Sequence, residues 1–368
     1  MTDAVLIHGA PAALPDLFHV IPSAIGDPFL YLEADGRRAA TVSALDAGPV
    51  EALGIEVLDP YTLGLDELIA AGVSQLQRQA GVALGACRAL GIQEALVPAE
   101  FPLGIADLLR REGVALIVAP ETFVARRRAK TPAQITGMRR AQKAADAAMA
   151  VAAELIRELR PGLTSEDVRE AMTAVADGLD AHLPGDVIVA GGAAGADGHN
   201  AGSGPLRPGE PVVVDIWPQD RASRCWADMT RTFVAGGGAP DAELAGFWRL
   251  CRESLALVHP MVRAGADAGA IFRASCEPFT AAGQPTQLSK APGEVLRDGY
   301  FHSLGHGVGL EIHERPNLGR AEDTLVAGDV IAVEPGCYRQ GYGGCRLEDL
   351  VVVTDDGYEI LTDFPYEL

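Results

Sequence analysis

The sequence predicts an α+β protein in two parts: a smaller α/β domain over residues 1–125 and a larger domain over 126–368. Three observations carry this. Residues 1 to about 125 alternate short strand-like and helix-like runs. An Ala-rich helical stretch follows. From Gly185 onward, apolar strand runs are separated by Gly/Pro turns, and two helical segments, near 241–263 and 265–282, interrupt them. A chain of 368 residues is long enough for two domains and a substantial core.

The elements follow in order. Phe29-Leu30-Tyr31-Leu32 and Ala39-Ala40-Thr41-Val42 read as a strand pair around the turn Asp35-Gly36. Ala95-Leu96-Val97 and Ala115 to Val118 read as buried strands. Between them Ile105, Leu108 and Leu109 have helical spacing, with Gly113 as a stop. His8 and His19 are lone histidines, structural or exposed. The basic run Arg126-Arg127-Arg128, Lys130, Arg139-Arg140 reads as a solvated linker into a helix rather than an anion site. Thr131 caps that helix and Pro132 takes its first position. It ends near Leu159, at Pro161-Gly162. Thr164 caps the next helix, with Asp167 where a capping box prefers Glu or Gln.

Composition narrows the partners. A formal net charge of -20 argues against nucleic acid or an anionic membrane surface, since both require Lys/Arg patches. Met1 to Ala10 lacks the pattern of a secretory signal. The longest apolar stretches, such as Val114 to Ala119 and Val351 to Val353, are strand-length and too short to span a bilayer. The six cysteines form no Cys-x-x-Cys pair, which fits reduced thiols in a cytoplasmic enzyme.

Chemistry concentrates in the second part. Pro211-Val212-Val213-Val214-Asp215-Ile216 is a buried strand ending in a carboxylate that something must neutralise. Asp228, 13 positions later, opens a second strand, Asp228 to Val234, and an antiparallel pair puts both carboxylates on one face. Two close carboxylates repel unless a cation or a shared proton lies between them. Three of the eight histidines, His302, His306 and His313, fall among glycines within a dozen residues, and such backbone lets a ligand approach closely. Val330 to Val333 is another apolar run, ending in Glu334 at a Pro335-Gly336 turn. In Cys345 to Val353, Arg346 and Glu348 share a strand parity, while Asp349 faces the other way as a surface or structural carboxylate. Each charge alone is an ordinary strand-end residue. Together Asp215, Asp228, His306, Glu334 and Glu348 make four carboxylates and one imidazole. That donor set suits Mn²⁺, Co²⁺, Fe²⁺ or Zn²⁺, and two such ions can activate one water between them.

The order of these ligands and their flanks, Asp228-x-Thr230-Arg231, His306-Gly307-x-Gly309, His313-Glu314, Glu334-Pro335-Gly336 and Arg346-x-Glu348-Asp349, resembles the pita-bread metallopeptidases. The motifs cover roughly residues 195 to 355. The branch they match best is that of prolidase and aminopeptidase P. The resemblance implies a C-terminal pita-bread (creatinase/aminopeptidase-like) catalytic domain and a smaller creatinase-like N-terminal α/β domain. It implies two divalent ions, Mn²⁺ favoured over Co²⁺ or Zn²⁺. Asp215 would hold one ion, His306 and Glu334 the other, and Asp228 and Glu348 both. Glu334 would also carry the proton, and His313 would assist at the substrate carbonyl. His302 and His199 would flank the substrate, and Arg346 with Tyr338 would support the carboxylates. His302, His313 and Trp217 would frame a proline ring.

The implied activity is hydrolysis of the N-terminal Xaa-Pro bond of short proline-containing peptides, as a dipeptidase or an aminopeptidase, by a homodimer. The alternative is a catalytically altered relative, a creatinase-like amidinohydrolase or a peptide-binding module. The chain departs from the family pattern at Asp215-Ile216-Trp217, where Asp-x-Gly is usual, in the longer Asp215 to Asp228 spacing, and around His199.

Overall fold

In the computed structural model, which describes residues 3–368, the chain separates into two compact units, one running to Arg127 and one comprising Arg128–Leu368. Of the ten N-terminal residues read for a leader, Met1 and Thr2 lie outside the described ones. Among the described residues, no helix is long and apolar enough to cross a membrane.

The first unit is built on a six-stranded sheet of β1 (Val5–Gly9), β2 (Phe29–Ala34), β3 (Arg37–Ala40), β4 (Glu56–Val57), β5 (Glu94–Val97) and β6 (Ala115–Val118), in the order β4-β3-β2-β1-β5-β6. Its helices are α1 (Pro15–Val20), α2 (Ala47–Glu51), α3 (Leu65–Ala70), α4 (Gln75–Leu90) and α5 (Leu103–Arg111). A sixth, α6 (Pro120–Arg128), ends on the first residue of the second unit. The β2–β3 hairpin turns at Asp35 and Gly36, both with positive φ (51° and 74°), as a two-residue turn between right-twisted strands requires. β3 stops at Ala40, short of the expected Val42. Thr41 turns its Oγ1 to accept the Leu30 N–H at 2.9 Å, and the Val42 N–H goes to Ala40. β6 was expected to be buried, but it is an edge strand, and Ile117 and Val118 are 44% and 55% exposed.

His8 is structural. It lies buried near the end of β1, edge-on to Phe101, with Nδ1 lacking a partner. Burial pulls its pKa from 6.5 down to about 4, so the folded chain holds it neutral while the unfolded chain protonates it below 6.5. That contribution to stability is complete above pH 6.5 and is lost as the pH falls toward 4. Its size is on the order of 3 kcal/mol. His8→Leu should therefore flatten the fall of the urea midpoint between pH 6.5 and 4. An unchanged slope would place the titration elsewhere.

The basic run is solvated only in part: Arg139 and Arg140 stay half exposed, whereas Arg127, Arg128 and Lys130 are largely buried and paired. Arg126 donates twice to Glu33 at 2.9 Å, and Arg127 pairs with Asp16 at 2.7 Å. Arg128 binds Asp329 through Nε (3.0 Å) and Nη2 (2.6 Å), and Lys130 pairs with Glu314 among buried atoms. Arg140 grips Asp220 with two bonds of 2.7 Å. Basic groups that leave water need such geometry. Sequence reading missed it because Asp329 lies 201 residues from Arg128.

The second unit opens with α7 (Pro132–Glu158), where Thr131 and Gln134 form a full capping box. α8 (Ser165–Gly178) has an equally complete box with Asp167 in the Glu/Gln position, accepting from the Thr164 N–H at 2.8 Å. Short strands β7 (Ala181–His182), β8 (Ile188–Gly191), β9 (Pro211–Ile216), β10 (Gln219–Asp220) and β11 (Met229–Val234) follow. β8, β9 and β11 form a sheet of order β11-β9-β8, and β10 pairs with β7. α9 (Ala242–Val258) and α10 (Ala268–Ala281) start at the caps Asp241 and Asp267. α9 ends before Pro260, five residues sooner than expected. The chain then runs through β12 (Gly305–Gly307), β13 (Glu314–Leu318), β14 (Val330–Val333), β15 (Gly336–Arg339), β16 (Gly343–Arg346), β17 (Asp349–Val353) and β18 (Tyr358–Ile360). Five of these make a sheet, β13-β12-β14-β17-β18, and β15 pairs with β16.

Two apolar clusters fix these layers. Met149, Ile156, Val168 and Met172 of α7 and α8 pack on Val212, Val214, Met229 and Phe233. Phe247, Leu255, Ile271 and Phe279 of α9 and α10 pack with Ile331, Val333, Val351 and Val353. Strand alternation then sends Asp215 and Thr230, which are register partners on β9 and β11, to the face away from α7 and α8.

Candidate metal centre

The five sequence-chosen ligands converge. Asp228 stands two residues before Thr230, on the side of β11 that bears Asp215 across the ladder. His306 occupies the middle of β12, whose Gly307 pairs with Ile331 of β14; Glu334 directly follows β14. Close backbone packing requires the glycines here: a Cβ on Gly305 would meet the Ala332 carbonyl oxygen at 1.9 Å. Arg346 and Glu348 were expected on one strand. Instead the strand breaks at Leu347, with Arg346 ending β16 and Glu348 preceding β17, yet both side chains reach the cluster. Asp349, read as surface or structural, is structural: it is buried and paired with Arg231 at 3.1 Å.

Asp228, His306 and Glu348 each offer a ligand atom within 4.8 Å of the others. His306 Nε2 lies 3.6 Å from Asp228 Oδ2 and 3.8 Å from Glu334 Oε1. Asp215 and Glu334 share the Arg346 guanidinium, at 2.5 Å and 3.9 Å. Thr230 Oγ1 donates to Glu348 Oε2 at 2.7 Å. Its place beside both Asp228 and Glu348 was not read from the sequence, although its strand parity with Asp228 pointed to it.

The electrostatics are those of a site that wants a cation. Burial and then the neighbouring carboxylates push Asp228 and Glu348 well above the usual carboxylate range. Burial pushes Glu334 up to about 8 against the pull of Arg346. Burial and then His313 bring His306 down to about 4, so its ring is neutral. His306 Nδ1 faces the Gly307 carbonyl at 3.0 Å and must donate to it. Nε2 is then a lone pair facing the carboxyl oxygens of Asp228 and Glu334, an arrangement that needs a cation or a shared proton between them. Asp215 Oδ1 is likewise buried without a partner. Both observations fit divalent ions.

A chain of polar contacts supports the cluster. Arg346 Nη1 donates to the Tyr338 hydroxyl at 2.9 Å, and that hydroxyl lies 3.0 Å from His302 Nε2. His302 Nδ1 faces the Ser303 carbonyl at 2.7 Å, so it donates there and Nε2 accepts from Tyr338. Burial and then Arg346 pull His302 down to about 3, which keeps it neutral. His313 is exposed, its ring 4.2 Å from that of His306. His199 is also exposed, in the loop after the turn Gly192–Ala196. Trp217, expected to frame a proline ring, packs against the apolar cluster of α7 and α8.

The unusual stretch between Asp215 and Asp228 is an ordered structure. Asp220, gripped by Arg140, also accepts from the Ser223 N–H and hydroxyl at 2.8 and 2.6 Å. Trp226 donates its main-chain N–H to Gly309 at 2.9 Å and its indole N–H to Leu310 at 3.1 Å. The stretch is thereby fastened to the loop that leads from His306 to His313.

The family model described as Metallopeptidase family M24 matches residues 136–355. The chain is similar to a probable dipeptidase PepE of Mycobacterium tuberculosis, 33% identical over 74% of this chain and 68% of the relative. It is also similar to an Xaa-Pro dipeptidase of Pyrococcus furiosus, 30% identical over 65% of this chain and 64% of that one. Among solved structures, an Xaa-Pro dipeptidase from Bacillus anthracis superposes with a TM-score of 0.81 at 24% identity, covering 100% of this chain and 94% of the other. The α+β architecture with a pita-bread unit is the fold adopted.

Proposed function

Because the chain belongs to metallopeptidase family M24, we propose that it hydrolyses the N-terminal Xaa-Pro bond of short peptides with two divalent ions, Mn²⁺ first among them. The family is one of metal-dependent peptidases, so divalent ions and a peptide substrate are its premises. In our reading Asp215, Asp228, His306, Glu334 and Glu348 would hold the ions, Asp215 on one side and His306 with Glu334 on the other, with Asp228 and Glu348 serving both. The observation that carries this is the bare Nε2 of His306 facing Asp228 and Glu334. Ions bound there would supply a water of lowered pKa and a Lewis acid for the scissile carbonyl.

The chain's own residues do the rest. Glu334 takes a proton and returns it to the departing nitrogen. That nitrogen belongs to proline, a tertiary amide with no N–H of its own, so it leaves only when a proton is delivered. His313, neutral and exposed beside His306, donates a hydrogen bond to the substrate carbonyl oxygen; His199 stands on the same substrate side. Arg346 holds Asp215 and Glu334 in place, and His302 orients Arg346 through Tyr338. An Xaa-Pro bond is favoured by the chain's similarity to an Xaa-Pro dipeptidase of Pyrococcus furiosus. The creatinase-like and binding-module alternatives require a broken ligand set, and here the set converges. A homodimer follows from the resemblance alone. A cytoplasmic location accords with six buried free thiols.

The test is a panel of Xaa-Pro dipeptides and Xaa-Pro-Yaa tripeptides, assayed after chelation and after readdition of Mn²⁺, Co²⁺ or Zn²⁺. Chelation should abolish cleavage, and Mn²⁺ should restore it best. Cleavage confined to dipeptides assigns a dipeptidase, and preference for tripeptides an aminopeptidase. Full activity in the chelated protein would refute the reading.

A further inference from the structure

β11 turns its two faces to two tasks. Thr230 and, just before the strand, Asp228 face the carboxylate cluster, while Met229 and Phe233 enter the apolar layer. Arg231 shares the parity of the latter pair, and its side chain is 1% exposed. A guanidinium removed from water must have its N–H groups matched. Nη1 donates to the carbonyls of Thr230 (3.0 Å) and Glu348 (2.6 Å). Nη2 donates to Asp349 (3.1 Å) and the Phe364 carbonyl (2.8 Å), and Nε to the Pro365 carbonyl (3.0 Å). These acceptors come from three separate stretches of chain.

Residues 361–366 are themselves fastened. The Leu361 N–H goes to the Leu350 carbonyl at 2.8 Å, and the Trp248 indole N–H to the Tyr366 carbonyl at 2.8 Å. The Tyr366 hydroxyl donates to Asp349, and its ring lies 4.5 Å from the Arg231 guanidinium carbon. Glu348 is consequently fixed at every polar atom of its main chain. Its N–H meets the Thr230 carbonyl at 3.1 Å and its carbonyl meets Arg231.

We infer that Arg231 is a positioning residue of the metal centre, and that residues 361–366 are the clamp that holds it. Together they set the span between Asp228 and Glu348, the two carboxylates assigned to both ions. The inference rests on that assignment. A planar fork aimed at carbonyls in fixed directions does this, and a lysine, a single mobile point charge, does not.

The experiment uses the full chain as Arg231→Lys and Tyr366→Phe. Each metal-free protein is titrated calorimetrically with Mn²⁺, unfolded in urea, and assayed for kcat and KM on an Xaa-Pro dipeptide. Arg231→Lys should bind Mn²⁺ roughly 10–100-fold more weakly, as outer partners of metal ligands do when altered, with kcat reduced and KM near wild type. Tyr366→Phe should shift the same isotherm in the same direction by less. An Arg231→Lys isotherm that overlays wild type overturns the inference, as does a lower urea midpoint with unchanged Mn²⁺ affinity. Should Arg231→Lys not fold, the Tyr366→Phe isotherm decides by the same criteria. A wild-type chain that binds no Mn²⁺ would overturn the metal assignment itself, a result distinct from a variant that binds as wild type does.

Discussion

Glu334→Gln should lower kcat by roughly 10³-fold, with KM little changed, the scale on which a lost proton carrier acts. The amide keeps an oxygen to face His306 Nε2, now 3.8 Å from Glu334 Oε1, so the cluster is not dismantled. It cannot carry a proton to the proline nitrogen. The same substitution should raise the stability of the metal-free protein at neutral pH. Glu334 sits at about 8 when no cation is present, above its ordinary 4.5. An acid raised in this way is penalised progressively as the pH climbs from 4.5 toward 8. A neutral amide escapes that penalty. Opposite signs for activity and stability are the signature, read from steady-state kinetics and urea midpoints of chelated protein. Wild-type turnover in this variant would remove Glu334 from the proton path.

Arg346→Met should act the other way on stability. Arg346 is 3% exposed, is ion-paired with Asp215 at 2.5 Å and lies 3.9 Å from Glu334, inside a cluster of four acidic side chains. It also satisfies the Tyr338 hydroxyl and approaches Thr230 Oγ1 at 3.3 Å. Removing one partner of a buried pair leaves uncompensated charge and costs about 3–5 kcal/mol. Saturating Mn²⁺ should recover part of that loss, because ions that bind only the folded state stabilise it by mass action. Thermal unfolding with and without Mn²⁺ measures both. A metal-free variant as stable as wild type would show that Arg346 is not the counter-ion of the cluster.

The sequence disclosed Asp215 and Glu334 because each ends an apolar strand run, Asp228 and Glu348 because each precedes one, and His306 because three histidines cluster among glycines. It also disclosed the capped starts of α7 and α8, whose signals are local. It did not disclose the partners of Arg126 to Lys130. Those depend on acidic residues far along the chain, and a run of charges carries no trace of them. The break at Leu347 was hidden for a related reason. Parity assumes a continuous strand, whereas tertiary contacts let Arg346 and Glu348 meet one cluster from two separate strands. Trp217, expected beside a proline ring, is partly buried against the apolar cluster of α7 and α8, a long-range contact that its neighbours in sequence do not reveal.

The fastening of the Asp215 to Asp228 stretch bears on how the site moves. Trp226 bonds twice to the loop leading to His313, and Asp220 is held by Arg140 and Ser223. Such a stretch is a fixed wall, not a gate. Opening it would break several hydrogen bonds at once, on the slow timescale of local unfolding rather than of loop fluctuation. Under the proposed function, a peptide entering beside His313 would therefore meet a standing shape on this side of the site. Variation of residues 217–227 among related chains would change which peptides fit before it changed how fast they come and go.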